Sequence, residues 1–120
     1  MAGTALGDPI EIGSAAKVFG QGRHQDQRLV VGSLKANIGH LETAAGLAGL
    51  CKTLLVLQQE KAPPNAGLRG EMNPKVVEAM GDAPFDLPAA DAALMDLRET
   101  SGKGPDDALV AGLSSFGYAG

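Results

Sequence analysis

In "SLKANIGHLETAAGLAGLCKTLL", residues Ser33 to Leu55, a polar turn leads directly into a run of small and apolar residues. Residues 35–39, "KANIG", predict the turn, and residues 40–61 predict a helix of about five to six turns. Apolar or small residues occupy nearly every side of that helix, which predicts a central helix buried on several sides. Gly46 and Gly49 lower helix propensity, so we expect another backbone to pack closely there.

The segments around this stretch predict further elements. Residues 7–20, "GDPIEIGSAAKVFG", predict a helix with Asp8 as N-cap and Pro9 at its first position. The apolar stripe of that helix is expected at Ile12, Ala15, Ala16 and Phe19. "LVVGSL", residues 29–34, predicts a buried strand. We therefore expect a helix and a strand before the central turn.

The second half of the chain carries weaker patterns. Residues 72–105 contain several prolines and predict an irregular crossover of loop and extended chain. Two short helical patterns interrupt it, at "PKVVEAM" and at residues 89–97. Residues 107–113 predict a second strand. The order helix, strand, turn, long buried helix, irregular crossover, strand is α/β organisation.

Composition excludes several function classes. The chain has 120 residues and a net charge of -4, which argues against a nucleic-acid partner because phosphate binding needs a basic surface. The single cysteine, Cys51, allows no intrachain disulfide, so we expect a cytoplasmic setting, with an organellar one left open. The most apolar run contains charged residues and glycines, which favours a buried helix over a membrane span. Two scattered histidines and one cysteine predict no metal site.

The turn carries the best candidates for chemistry. His40 is expected at or just before the first turn of the long helix, where unpaired N–H groups favour a neutral imidazole that donates one hydrogen bond. Such a histidine can stabilise an oxyanion, but it can equally be a structural cap. Lys35 can orient a carboxylate or tune a nearby pKa, or it can be a solvated turn residue. Cys51 is expected to be an inert core residue because buried apolar surroundings raise a thiol pKa.

Four segments occur together in an order typical of one enzyme family. They are "GTALGDPIEIG" (Gly3 to Gly13), "GSLKANIGHLETAAGLAGLCKT" (Gly32 to Thr53), "PPN" (Pro63 to Asn65) and "AGLSSFGYAG" (Ala111 to Gly120). Together they resemble the C-terminal half of a β-ketoacyl synthase, in the form found in type I polyketide and fatty acid synthases. Residues 71–106 match the family poorly. We therefore expect residues 1–120 to form a partial ketosynthase region that is truncated at both ends.

The resemblance implies a thiolase-like fold of two pseudo-equivalent halves, normally dimeric. It also implies a Cys-His-His site that binds no cofactor directly. A cysteine takes the acyl chain as a thioester, and a malonyl unit on the phosphopantetheine of an acyl carrier protein is decarboxylated. The resulting enolate attacks the acyl thioester to form a 3-oxoacyl product. Two histidines stabilise the thioester oxygen during decarboxylation.

Four residues of this chain match functional positions of the family. His40 matches the second histidine, in the K-x-N-I-G-H segment, and Lys35 matches the lysine of that segment. Thr4 matches a threonine that contacts the phosphopantetheine arm, and Tyr118 falls where an aromatic residue gates the acyl pocket. Ala119 departs from the glycine that usually follows that aromatic residue.

Two members of the family's catalytic set lie outside the chain. The first catalytic histidine would precede Met1, and the nucleophilic cysteine belongs to the missing N-terminal half, since Cys51 does not match it. The fragment is therefore expected to be inactive in isolation. The alternative is a non-catalytic thiolase-like remnant with a structural or dimerisation role. The retained Lys35 and His40 weigh against that alternative.

Overall fold

The structure is a computed structural model that describes residues 7–115. Its helices and strands, in chain order, are α1 (Gly7–Phe19), β1 (Leu29–Val30), α2 (Lys35–Ile38), a 3₁₀ turn (Glu42–Ala44), α3 (Ala45–Gln59), β2 (Lys61–Ala62), α4 (Pro74–Met80), β3 (Phe85–Asp86), β4 (Met95–Asp96) and α5 (Leu97–Ser101). This mixture of helices and short strands confirms the α/β class. Across residues 7–115, no helix combines the length and hydrophobicity that a membrane crossing requires.

The core lies where α1 packs against α4 and β3. Ile12, Val76 and Phe85 form it and are at most 5% exposed. A Cβ added to Gly13 would lie 3.5 Å from the Cβ of Ala79, so the glycine allows α1 and α4 to approach closely. The two helices therefore hold the first part of the chain against the irregular second part.

Both helices of this pair were predicted from sequence. The helix over residues 7–20 is confirmed as α1, and "PKVVEAM" is confirmed as α4. The Asn73 side chain accepts a hydrogen bond from the Lys75 N–H at 3.0 Å, which caps α4 as its first turn begins at Pro74. The prediction for Phe19 was wrong, because its side chain is 55% exposed. Phe19 is the last residue of α1.

Two short ladders replace the longer strands expected from the sequence. β1 pairs with β3 in parallel, Leu29 opposite Phe85 and Val30 opposite Asp86. β2 pairs with β4 in antiparallel fashion. The predicted strand over residues 29–34 ends at Val30 as a paired element. Pro84 and Pro88 flank β3 and limit the length of its ladder, since proline cannot donate to one.

Two predictions for the second half of the chain were wrong. The helix expected over residues 89–97 starts instead at Leu97, where the Asp96 side chain accepts hydrogen bonds from the N–H groups of Arg98 (2.9 Å) and Glu99 (3.1 Å). The preceding residues are used by β4, which pairs with β2. Residues 107–113 form no strand, because no other described segment provides a ladder for them.

The long helix is shorter and more exposed than predicted. It starts at Ala45 rather than His40 and ends at Gln59, where Glu60 takes a left-handed conformation with φ 54°. None of its residues is buried among the described part of the chain, so the prediction of a buried helix was wrong. One face, with Leu47 and Leu54, is exposed, because no described segment covers it.

The glycines of α3 lie on its covered side. A Cβ on Gly46 would lie 3.3 Å from the Ser115 Oγ, and a Cβ on Gly49 would lie 2.8 Å from Leu113 Cδ1. The close packing expected at both glycines is therefore present. It is made by the side chains of the segment at residues 113–115 and not by its backbone.

Candidate active site

A single buried asparagine holds the segment that leads into the predicted site. Asn65 is 1% exposed, and its Oδ1 accepts the Ser33 N–H at 2.7 Å. Its Nδ2 donates to the carbonyls of Val31 (3.3 Å) and Pro88 (3.1 Å). The carboxamide thus satisfies its donors and an acceptor while joining three segments of the chain. Asn65 therefore fixes the position of residues 31–33, which directly follow β1.

The sequence does not predict the role of Asn65, although "PPN" is part of the family resemblance. The available signal was a polar residue directly after two prolines, because Pro63 and Pro64 shape the loop but have no N–H to donate. A buried amide with donors and an acceptor can supply the hydrogen bonds that such a loop lacks. Nothing in the spacing indicated that its partners would be Ser33, Val31 and Pro88.

The turn that the sequence predicted over residues 35–39 contains one turn of helix, α2. α2 packs on the loop that contains Asn65: Asn37 Nδ2 donates to the Pro64 carbonyl at 3.2 Å. A Cβ added to Gly67 would lie 3.4 Å from the Ala36 Cβ. These contacts attach α2 to the same loop that holds Ser33.

Gly39 reverses the chain between α2 and His40. Its φ is 82°, a conformation that side-chain-bearing residues rarely adopt, and its N–H donates to the Lys35 carbonyl at 3.0 Å. Glu42 also has a positive φ, 49°, and this is uncommon for a residue other than glycine. His40 therefore lies between two residues that have positive φ values, Gly39 and Glu42.

The His40 ring has one nitrogen engaged in a local hydrogen bond. Its Nδ1 accepts the Glu42 N–H at 3.2 Å, and the side chain is exposed. A ring nitrogen that accepts a hydrogen bond carries no proton, so the N–H of the neutral ring is at Nε2. The arrangement leaves Nε2–H available to donate to an oxygen atom.

The position of His40 relative to the long helix differs from the prediction. The 3₁₀ turn at Glu42–Ala44 separates His40 from the start of α3 at Ala45. The N–H group that donates to the His40 ring is therefore that of Glu42, which lies in the 3₁₀ turn and not in α3. Because this hydrogen bond occupies Nδ1, the ring atom of His40 that can donate is Nε2.

Lys35 is the first residue of α2, and His40 follows Gly39 after the end of that helix. Lys35 is half-buried at the start of α2, and its side chain has no hydrogen bond or ion pair among residues 7–115. The two predicted catalytic residues are linked through the backbone, by the Gly39 N–H and the Lys35 carbonyl. No side-chain hydrogen bond or ion pair joins them in the described part of the chain.

The remaining candidates are outside the described residues or differ from expectation. Thr4 and Tyr118 lie outside residues 7–115. Cys51 is exposed on α3, so the prediction that it belongs to the core was wrong. It lies on the face of α3 that no described segment covers. In residues 7–115, no three His, Cys, Asp or Glu side chains come together in a way that could hold a metal ion.

Comparisons with known proteins identify the family. Residues 2–69 match the model of the β-ketoacyl synthase C-terminal domain. The chain is 39% identical over 118 residues to the non-reducing polyketide synthase mapC of Penicillium roqueforti, covering 98% of this chain and 4% of that protein. It is 43% identical over 121 residues to the polyketide synthase ThaG of Burkholderia thailandensis, covering 98% of this chain and 2% of that one.

A mycobacterial relative shows the same extent of similarity. The chain is 40% identical over 121 residues to a phenolphthiocerol/phthiocerol polyketide synthase of Mycobacterium tuberculosis, covering 98% of this chain and 6% of that protein. The chain thus spans only a few per cent of the length of the curated relatives that it matches. The matched family model and these relatives agree with the motifs around His40. The chain belongs to the β-ketoacyl synthase C-terminal domain family, which has a thiolase-like fold.

Proposed function

We propose that this chain is part of a β-ketoacyl synthase that condenses an acyl thioester with a malonyl-type extender in polyketide or fatty acid biosynthesis. The observation that supports this most is the state of His40 in its K-x-N-I-G-H segment. Its Nδ1 is occupied by the Glu42 N–H, and its exposed ring keeps a proton on Nε2. A hydrogen-bond donor of this kind suits an oxygen that gains negative charge during a reaction.

In the proposed reaction, the malonyl thioester loses CO₂, and the electron pair of the broken C–C bond forms an enolate. The negative charge is on the thioester oxygen, to which His40 Nε2–H donates. The enolate carbon then attacks the carbonyl of the acyl group carried on a cysteine. The cysteine sulfur leaves as thiolate, and the 3-oxoacyl product stays on the carrier. The cysteine and a second histidine come from parts of the synthase outside this chain.

The other predicted site residues take supporting roles in this proposal. Lys35 is half-buried and unpaired among residues 7–115, which suits an ammonium that orients a carboxylate or tunes the charge of the site. Thr4 contacts the phosphopantetheine arm of an acyl carrier protein, and Tyr118 borders the acyl pocket. The chain binds no cofactor of its own in this proposal.

The proposal also assigns a partner to the exposed face of α3. Leu47 and Leu54 on that face are 68% and 52% exposed. Apolar side chains in such a patch indicate an interface. We place the N-terminal half of the ketosynthase there, within a cytoplasmic homodimer of the complete synthase.

The first test is His40→Ala in the complete synthase that carries this chain. Removing one preorganised donor should slow malonyl decarboxylation by about 10²–10³-fold. His24→Ala is the matched control, since His24 is exposed in a loop and should change the rate little. Decarboxylation is measured as CO₂ release from a malonyl carrier thioester.

An unchanged rate in His40→Ala would remove His40 from the mechanism and favour the non-catalytic remnant. The reading frame upstream of Met1 provides an independent check. A frame that continues into "HGT" and an earlier cysteine motif supports the enzyme, and a stop codon directly before Met1 supports the remnant.

A further inference from the structure

The last part of the described chain is attached to α3 at two places. The first is the end of the helix, where Arg98 binds both carboxylate oxygens of Glu60. The same guanidinium donates from Nη1 to the carbonyls of Gly104 and Asp107, the latter at 2.9 Å. An arginine presents its five donors in one rigid plane, so this side chain fixes where the segment at residues 107–115 begins relative to the end of α3.

The second attachment is near the beginning of α3. A Cβ added to Gly49 would lie 2.8 Å from Leu113 Cδ1, and a Cβ added to Gly46 would lie 3.3 Å from the Ser115 Oγ. From residue 60 back to residue 46 the helix covers about 21 Å, and the chain from residue 107 to residue 115 covers about 26 Å when it is extended. The segment therefore runs along α3 as nearly extended chain, in the direction opposite to that of the helix.

This direction brings the segment to the end of α3 that follows His40. Gly46 is the second residue of the helix, and only Leu41 and the 3₁₀ turn lie between His40 and the helix. In the sequence, Ser115 is followed by Phe116 and, two residues later, by Tyr118. The contacts with α3 thus hold the chain directly before these two aromatic residues.

We propose that the packing of Leu113 against Gly49 is a specificity-determining contact, because it sets how closely the chain before Phe116 and Tyr118 approaches α3. The inference rests on the proposed ketosynthase function, in which Tyr118 borders the acyl pocket. Only glycine leaves this space, since 2.8 Å is well inside the carbon–carbon contact distance of about 3.5–4.0 Å. A long acyl group reaches further into such a pocket than an acetyl group, so the contact acts on the choice of long acyl donors.

The test enlarges residue 49 in the complete synthase that carries this chain. Gly49→Ala forces the Leu113 side chain to turn away, and Gly49→Leu is too large to fit unless the segment moves. Both substitutions introduce good helix formers, so α3 itself should persist. Gly112→Ala is the matched control, because a Cβ added to Gly112 in the same segment meets no atom of residues 7–115 within 4 Å.

Two half-reactions are measured in each variant. In the first, acylation, the cysteine sulfur takes the acyl group of an acetyl or a decanoyl thioester and the donor thiol leaves. The second is decarboxylation of the malonyl carrier thioester. The ratio of kcat/KM for decanoyl to kcat/KM for acetyl reports the choice of acyl donor.

We expect Gly49→Leu to lower the decanoyl-to-acetyl ratio by about 10-fold or more, the size of effect that one methylene has in an apolar pocket. Gly49→Ala should lower the ratio by less, and Leu113→Ala added to Gly49→Ala should restore it, because the smaller side chain removes the overlap. Decarboxylation in the Gly49 variants, and both half-reactions in Gly112→Ala, should stay within about twofold of the unsubstituted synthase.

An unchanged ratio in both Gly49 variants would overturn the inference, and so would equal losses in acylation and decarboxylation. A lowered ratio that Leu113→Ala does not restore would contradict the contact as its cause. His40→Ala in the decarboxylation assay reports on the proposed function alone. If His40→Ala slows decarboxylation and the Gly49 variants keep the ratio, the ketosynthase function stands and this inference is wrong. If His40→Ala has no effect, the proposed function is wrong, and the specificity role falls with it.

Discussion

At the scale of the residue, the Asn65 side chain positions the segment that leads into the candidate site, although Asn65 is not one of the candidate catalytic residues. Its carboxamide is buried, and it joins the end of β1 to the chain at Pro88. His40 then depends on a second local contact, the hydrogen bond from Glu42. The Asn65 side chain joins residues that lie 23 to 34 positions away in the chain, so its role becomes visible only in three dimensions.

Replacing Asn65 should destabilise the ketosynthase region strongly. Asn65→Ala leaves the Ser33 N–H and the Val31 carbonyl without this partner, while the Pro88 carbonyl keeps the backbone N–H of residue 65. Each buried unsatisfied group costs about 1–3 kcal/mol. Asn37→Ala is the control, because it loses one exposed hydrogen bond. The measurement is the temperature of half-inactivation of the complete synthase.

Asn65→Asp refines this experiment. It keeps the oxygen that accepts from Ser33, loses the donor to the two carbonyls and introduces a buried carboxyl group, so its half-inactivation temperature should fall below that of the unsubstituted synthase. An Asn65→Ala protein as stable as Asn37→Ala would contradict the account of this residue.

At the scale of the element, the end of α3 is joined to α5 by an arginine–carboxylate pair. Arg98 donates to both carboxylate oxygens of Glu60, at 2.8 and 2.6 Å. The bidentate hydrogen bond from Arg98 lowers the pKa of Glu60. The pair lies beside the β2–β4 ladder and joins the long helix to the irregular second half of the chain.

The sign of this pKa shift predicts a pH dependence. Since the folded pKa of Glu60 is lower than the unfolded one, its contribution to stability is present above the unfolded value of about 4.3 and is lost as pH falls through the folded value. The effect should be small, because both side chains of the pair are partly exposed to solvent. The rate of limited proteolysis between α3 and α5, measured at decreasing pH, reports the loss of this contribution to stability.

Glu60→Gln should remove this acid dependence at the α3–α5 junction, since the glutamine does not titrate. Glu78→Gln, an exposed change on α4, should keep it. Identical pH profiles for the two variants would show that the pair does not contribute to the junction.

At the scale of the whole molecule, the chain has the radius of gyration of a folded domain but a core of few buried residues. The radius of gyration is 13.9 Å, close to the value of about 13.6 Å expected for a folded chain of this length. The accessible surface is 8015 Å², against about 6,000 Å² for a typical monomer of this mass. The excess includes the apolar face of α3, so the chain exposes surface that a self-sufficient domain would bury.

We expect the isolated chain to self-associate or unfold partially and to show no malonyl-carrier-dependent condensation. Exposed apolar patches promote association, and the proposed nucleophile lies outside the chain. Light scattering and thermal denaturation measure the first expectation, and a condensation assay measures the second. A monomer with a sharp cooperative melt would contradict the first, and condensation by the isolated chain would contradict the second.

The sequence by itself determined α1, α4 and the α/β class, because these depend on local signals such as Pro9, Asn73 and helical periodicity. It also determined the family, through motifs whose order is visible without a structure. Lys35 and His40 stay predictions as catalytic residues. Local patterns could identify these features because each depends on residues that are close together in the chain.

Only the tertiary structure decided which neighbours each segment has. Residues 107–113 have the composition of a strand, but no described segment pairs with them. The apolar pattern of α3 indicates burial, but the surface that would cover Cys51 and Leu54 is absent from the described part of the chain. Strand pairing and burial depend on groups distant in sequence, and for this chain many such groups belong, in our proposal, to the rest of the synthase.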